Sequence, residues 1–142
     1  MLSTVFSFGV QVATIPKTAQ VAVGQPARLN FVSVTVTEVD PHWAVTNTFE
    51  QPKKGAHFLA VKVQYESIAQ QKVSYNQFDW KVVGPAGARF TPSFVPRDPQ
   101  LRSGELQPGR KVYGWIVFEI PDGAIGLSLN GSIGDDKVVM GL

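Results

Sequence analysis

The chain contains no cysteine, which excludes disulfide staples, thiolate metal centres, cysteine nucleophiles and a lipidated cysteine, and leaves the redox compartment open. Charge is sparse: Asp, Glu, Lys and Arg make up 17% of the residues, with a formal net charge of +2. The basic residues are scattered apart from Lys53-Lys54 and Arg110-Lys111, each beside a turn signal. The concentrated cationic stripe that displaces counterions from phosphates is therefore missing, and nucleic acid is not an expected partner. No apolar run is long enough to cross a bilayer, so no membrane insertion is expected. The first residues carry no Lys or Arg ahead of the apolar stretch and do not read as a secretory signal; either a leader has been removed or the protein reaches its destination without one. Glycines 84, 87, 104 and 109 stand with prolines in turn signals and lack a following Lys-Ser pair or helix, which removes phosphate-loop chemistry. The acids are dispersed, and Asp135-Asp136 after Gly134 reads as a turn between the last strands rather than a cation loop.

What is present is alternation. Hydrophobic residues make up 44% of the chain, and they follow a period of two, with no sustained apolar spacing of 3.6. The most regular strand is 58–67, where Leu59, Val61, Val63 and Tyr65 alternate against Ala60, Lys62, Gln64 and Glu66. Further strands are expected at 6–12, 21–23, 29–39 (stopped by Asp40-Pro41), 43–49, 78–83, 88–94 and 112–120. Asn130-Gly131 predicts a hairpin turn between 127–129 and 132–133, and 138–140 closes the sheet. Many short strands separated by Gly, Pro, Asn and Asp turns predict a single all-β domain, a sandwich or barrel.

The segments 55–63 and 78–87, and above all Gly104-Glu105-Leu106-Gln107-Pro108-Gly109 followed by Gly114, Val117, Phe118, Ile120 and Pro121, resemble the immunoglobulin-like bacterial family called domain of unknown function 4352. The resemblance covers roughly residues 23–129. It implies an immunoglobulin-like antiparallel β-sandwich, related in fold to a small secreted mycobacterial antigen, and assigns no catalytic residues. The lipidated leader typical of such proteins is missing, and the asparagine common after the 58-type strand is replaced in the 65–67 region.

A catalytic triad needs a carboxylate-oriented histidine beside a nucleophile. His42, next to Asp40-Pro41, and His57, at a strand start, read as separate loop histidines. The expectation is a non-enzymatic protein with no cofactor and no metal. On 112–120, alternation directs Val112, Ile116, Phe118 and Ile120 to the core and places Tyr113, Trp115 and Val117 on the other face. Tyr113 and Trp115 are therefore candidate interaction residues, unless another part of the chain, such as the N-terminal strand, covers them. Trp43 and Trp80 are expected in the core. Residues 1–20 form a nearly uncharged strand or arm, in which Phe6, Phe8, Val10 and Val12 are candidate contacts for the chain's own sheet or a neighbour's; residues 21–142 form the sandwich. The leading expectation is an extracellular or cell-surface domain mediating protein–protein interaction, with a protein partner or its own copies. The alternatives are a structural subunit of a virion (a decoration protein) or filament using the arm, and, third, a small-ligand or carbohydrate-binding module.

Overall fold

Alternating β-branched and aromatic residues make strands where one face can be buried, and the computed structural model, which describes residues 15–142, is built almost wholly from them. The strands are β1 (Thr18–Gln20), β2 (Ala27–Arg28), β3 (Val32–Trp43), β4 (Ala56–Ser67), β5 (Val73–Tyr75), β6 (Trp80–Val83), β7 (Arg89–Phe90), β8 (Gly104–Leu106), β9 (Lys111–Pro121), β10 (Ser128–Ile133) and β11 (Asp136–Gly141). One sheet runs β1-β11-β10-β6-β7, the second β2-β3-β4-β9, and β5 pairs with β8 in a small ladder. Every pairing is antiparallel except β1 with β11. The molecule is an immunoglobulin-like β-sandwich with an added N-terminal strand. Val34, Val36, Val61, Val63, Ile116 and Phe118 of one sheet meet Trp80, Val82, Leu129, Val138 and Met140 of the other in one core.

Several local expectations are corrected. Asp40-Pro41 does not stop β3, because the pairing skips from Asp40↔Ala60 to Trp43↔Phe58. Pro41 falls in this irregularity, where its missing N–H breaks no ladder bond. Residues 44–49 are consequently loop. The strand expected at 21–23 is displaced to Thr18–Gln20, within the expected arm, where it pairs with the chain's own β11. Residues 6–12 lie outside the described residues. The segment entering β6 begins as a turn of 3-10 helix, Gln77–Asp79, capped reciprocally by Asn76 and Asp79.

The largest correction concerns Asn130-Gly131. This pair is no turn; it sits inside β10, with Asn130 opposite Lys81 and Val139, and Gly131 opposite Trp80 and Val138. A Cβ on Gly131 would stand 2.7 Å from the Trp80 ring, so glycine is required there by packing. The hairpin instead turns at Gly134-Asp135, between the paired Ile133 and Asp136, with the positive φ of 62° on Gly134.

Trp80 is fully buried, and its indole N–H donates to the Tyr65 hydroxyl at 2.8 Å. That hydroxyl donates in turn to Asp79 Oδ2 at 2.9 Å, which also accepts the Asn76 N–H. Burial raises the pKa of both Tyr65 and Asp79; for Tyr65 the neighbouring Asp79 charge raises it further.

Asp136 is a second buried polar anchor. Its carboxylate accepts the Lys17 N–H at 2.8 Å, the Asn30 N–H at 3.0 Å and Asn30 Nδ2 at 3.0 Å, tying the entry to β1 and the β2–β3 turn to the last hairpin. Burial opposes its ionisation, but these hydrogen bonds and the Lys17 charge outweigh burial and hold its pKa below the ordinary 3.8.

Two consequences are measurable. Gly131→Ala destabilises the fold by about 1–3 kcal/mol through overpacking. Gly123→Ala, with open space around it and no positive φ, stays within about 0.5 kcal/mol; urea unfolding of the two variants checks the contrast. Because the folded pKa of Asp136 is depressed, its contribution is present above pH 3.8 and is lost as pH falls below that through the folded value. Asp136→Asn is therefore less stable than wild type by about 1–3 kcal/mol at neutral pH, and the two unfolding curves converge in acid.

Candidate functional site

The free edge of β9 is covered by a strap, residues 91–101. Ser93 N–H donates to the Val117 carbonyl at 2.7 Å, Trp115 N–H to that of Pro99 at 2.7 Å, and Leu101 N–H to that of Trp115 at 3.1 Å. This close approach explains Gly114: a Cβ there would meet the backbone of Leu101. The rest of the glycine-rich motif has similar physical reasons. Gly104 makes room for the Tyr75 ring, Leu106 is buried, and Pro108-Gly109 turns with φ 79° on the glycine and the Arg110 N–H donating to Gln107 O.

Beneath the strap lies a second, smaller core of Phe58, Ala60, Trp115 and Val117, with Trp43, Val45 and Val95 against it. Trp115 is only 6% exposed, which corrects its reading as a surface interaction residue. Among the described residues the cover is supplied by the strap, whose Val95 and Arg97 lie against this small core. Tyr113, 53% exposed, remains at the surface. Phe6, Phe8, Val10 and Val12 lie outside the described residues. Trp80 is in the main core as expected; Trp43 is only partly buried, against the smaller one.

Cations and aromatic rings alternate across this face. Lys62 Nζ lies 4.9 Å from the centroid of Tyr113 and 5.9 Å from that of Trp115. The Arg97 guanidinium lies 3.6 Å from Trp115 and 5.2 Å from Trp43, and its Nη1 donates to Asp40 Oδ2 at 2.9 Å. Arg97 is thus the pin that holds the strap down.

The adjoining end of the sandwich gathers the loops 44–55 and 122–127 and one end of the strap. There the histidines that sequence reasoning kept apart come together. The His42 and His57 rings stack, with centroids 4.1 Å apart and planes 25° apart, and His57 Nδ1 lies 2.9 Å from Asp122 Oδ1. The continuation of β3 past Pro41 is what carries His42 to His57; ending the strand at Asp40 hides the pair. They line a groove of about 550 Å³ together with Leu59, Ile125 and Leu127. On the other side of the paired Ala56 and Pro121, a second groove of about 470 Å³ is lined by Lys53, Phe90, Phe94 and Glu119. Three large apolar side chains stand in solvent on the three segments: Phe49 is 95%, Phe94 86% and Ile125 81% exposed. No periodicity marks these residues in the sequence, since a loop aromatic looks the same whether it is wet or covered. Among the described residues, no cluster of three or more His, Cys, Asp or Glu could hold a metal ion, and no helix is long and apolar enough to cross a membrane.

The family model described as a domain of unknown function, DUF4352, matches residues 21–138. No curated protein sequence matches the chain. Among solved structures, the yjhA protein from Bacillus subtilis superposes with a TM-score of 0.66 at 20% identity, over 85% of this chain and 98% of that one. MPT63, a secreted protein from Mycobacterium tuberculosis, does so with a TM-score of 0.66 at 11% identity, over 92% and 100%. A β-sandwich protein from Clostridium difficile 630 gives a TM-score of 0.57 at 11% identity, over 92% and 98%. At these identities the likeness is one of fold.

Arg97→Ala removes the pin. It is expected to cost about 1–2 kcal/mol and to speed hydrogen exchange at the Trp115 and Leu101 amides, with the β10 amides unchanged.

Proposed function

This chain belongs to the domain of unknown function 4352 family, and on that premise we propose that it is a non-catalytic, extracellular or surface-displayed module that binds a protein partner through the loop-bearing end of its sandwich. The observation that carries this reading is the placement of Phe49, Phe94 and Ile125, nearly fully exposed, on segments that border the two grooves. Burying such a side chain against a partner contributes about 1.5–3 kcal/mol, and an exposed apolar patch on a rigid scaffold is a usual mark of an interface. The similarity in fold to MPT63, a secreted protein, supports an extracellular setting. The non-catalytic reading is supported by the His57 pairing: its partner Asp122 is itself 60% exposed, unlike the buried carboxylate that orients the histidine of a catalytic triad.

A second reading, self-assembly through the N-terminal arm, is favoured by β1. Among the described residues it is the outermost strand of its sheet, and the residues before it in sequence alternate as a strand would. The arm of a neighbouring copy could pair with its outer side.

Photo-cross-linkers placed at positions 49, 94, 125 and 113 on the full chain, in its native extracellular milieu, separate the readings. The partner reading expects one protein captured at 49, 94 and 125 and not at 113. Equal capture at 113, or none at any position, overturns it. Self-assembly instead expects oligomers by light scattering from the full chain and a folded monomer from a chain starting at Ile15, which keeps β1.

A further inference from the structure

The outer face of the five-stranded sheet collects three cations that are far apart in sequence. Alternation puts Lys81 of β6, Lys137 of β11 and Arg89 of β7 on this face. The central strand β10 presents the short polar side chains of Asn130 and Ser132 there, with Asn130 opposite Lys81 and Ser132 opposite Lys137. Short residues on the middle strand between long ones on its neighbours make a trough, and a concavity of about 210 Å³ lies there, lined by Lys81, Arg89, Asn130, Ser132 and Lys137 among others. Among the described residues, every ion pair lies elsewhere: His57–Asp122, Lys62–Glu38, Lys72–Glu105 and Arg97–Asp40. Residues 1–14 contain no Asp or Glu. The one carboxylate bordering the trough, Asp79, is engaged through Oδ2 with Tyr65 and Asn76.

We propose that this trough is a binding site for a small tetrahedral oxyanion, a phosphate or sulfate group, free or borne as a monoester on a small polar molecule. The charge is complementary: three like charges line one concavity with the Ser132 hydroxyl and the Asn130 amide, and among the described residues no counter-charge is paired to them. Lys and Arg donate only, and Arg89 offers the planar fork that suits oxyanions. Ser132 and Asn130 add neutral donors, and charge-assisted hydrogen bonds of this kind are the strong ones. Arg89 stands at the border with the second groove of the loop end, while Lys81, Asn130, Ser132 and Lys137 belong to the trough alone.

The test is a titration of the full chain with sodium phosphate and with sodium sulfate, followed by amide chemical shifts, against sodium chloride at matched ionic strength. Saturable shifts confined to Lys81, Asn130, Gly131, Ser132 and Lys137, in the low-millimolar range and absent with chloride, are the expected result. Lys81→Gln with Arg89→Gln weakens binding about tenfold without changing the melting temperature, and Lys81→Arg holds it within about twofold. A glucose phosphate monoester binding as well as inorganic phosphate identifies a borne group; inorganic phosphate alone identifies the free ion. Shifts that do not saturate, that chloride reproduces, or that survive the double substitution overturn the proposal. So does binding of long-chain polyphosphate alone, which would mark only a diffuse basic surface.

Discussion

Trp80 and Tyr65 are among the largest side chains wholly withdrawn from water, and they come from opposite sheets. An indole N–H and a phenol are each costly to bury unpaired, and the bond between them settles both while fixing how the sheets lie on each other. The same hydroxyl reaches Asp79, so the 3-10 turn before β6 is held in the same network. Gly131 belongs to it as well, because the indole needs the space that any side chain there would take. With that contact in place, β10 is aligned against β6, and the outer row of Asn130 and Ser132 is set between Lys81 and Lys137.

The strap along β9 follows a similar rule of close approach. A sheet edge left bare invites pairing with other chains; here residues 91–101 use its hydrogen bonds, Gly114 permits the contact, and the Arg97 guanidinium between two indoles secures it. The cost of this arrangement is that Trp115 is consumed internally, while Phe94 is lifted into solvent beside the groove. The exposed loop residues and the covered tryptophan are thus two results of one covering segment.

The strand at 58–67 was legible because its apolar row is buried on one side throughout, and a period of two is then unambiguous. The turn at Pro108-Gly109 was legible because a positive φ and a fixed proline φ leave few alternatives. Asn130-Gly131 misled for the converse reason: the pair has a strong local preference for a turn, but Trp80, far away in the chain, decided the glycine's role. Asp40-Pro41 misled in the same way, since a proline ends a regular strand but not one that bulges at that point. The site was less legible than the fold. Tyr113 and Trp115 have the same place in the alternation pattern as any outward residue, and only the course of the strap decides that one is wet and the other dry.

The sequence by itself determined the all-β class, the absence of thiol chemistry, the main core strands and the glycine-proline turns, because each of these depends on neighbours within a few residues. The tertiary structure alone decided which histidines meet, which aromatic residues are covered and which cations share a face. Those outcomes depend on strand order and register, and register is set by packing between segments that no local pattern relates to one another.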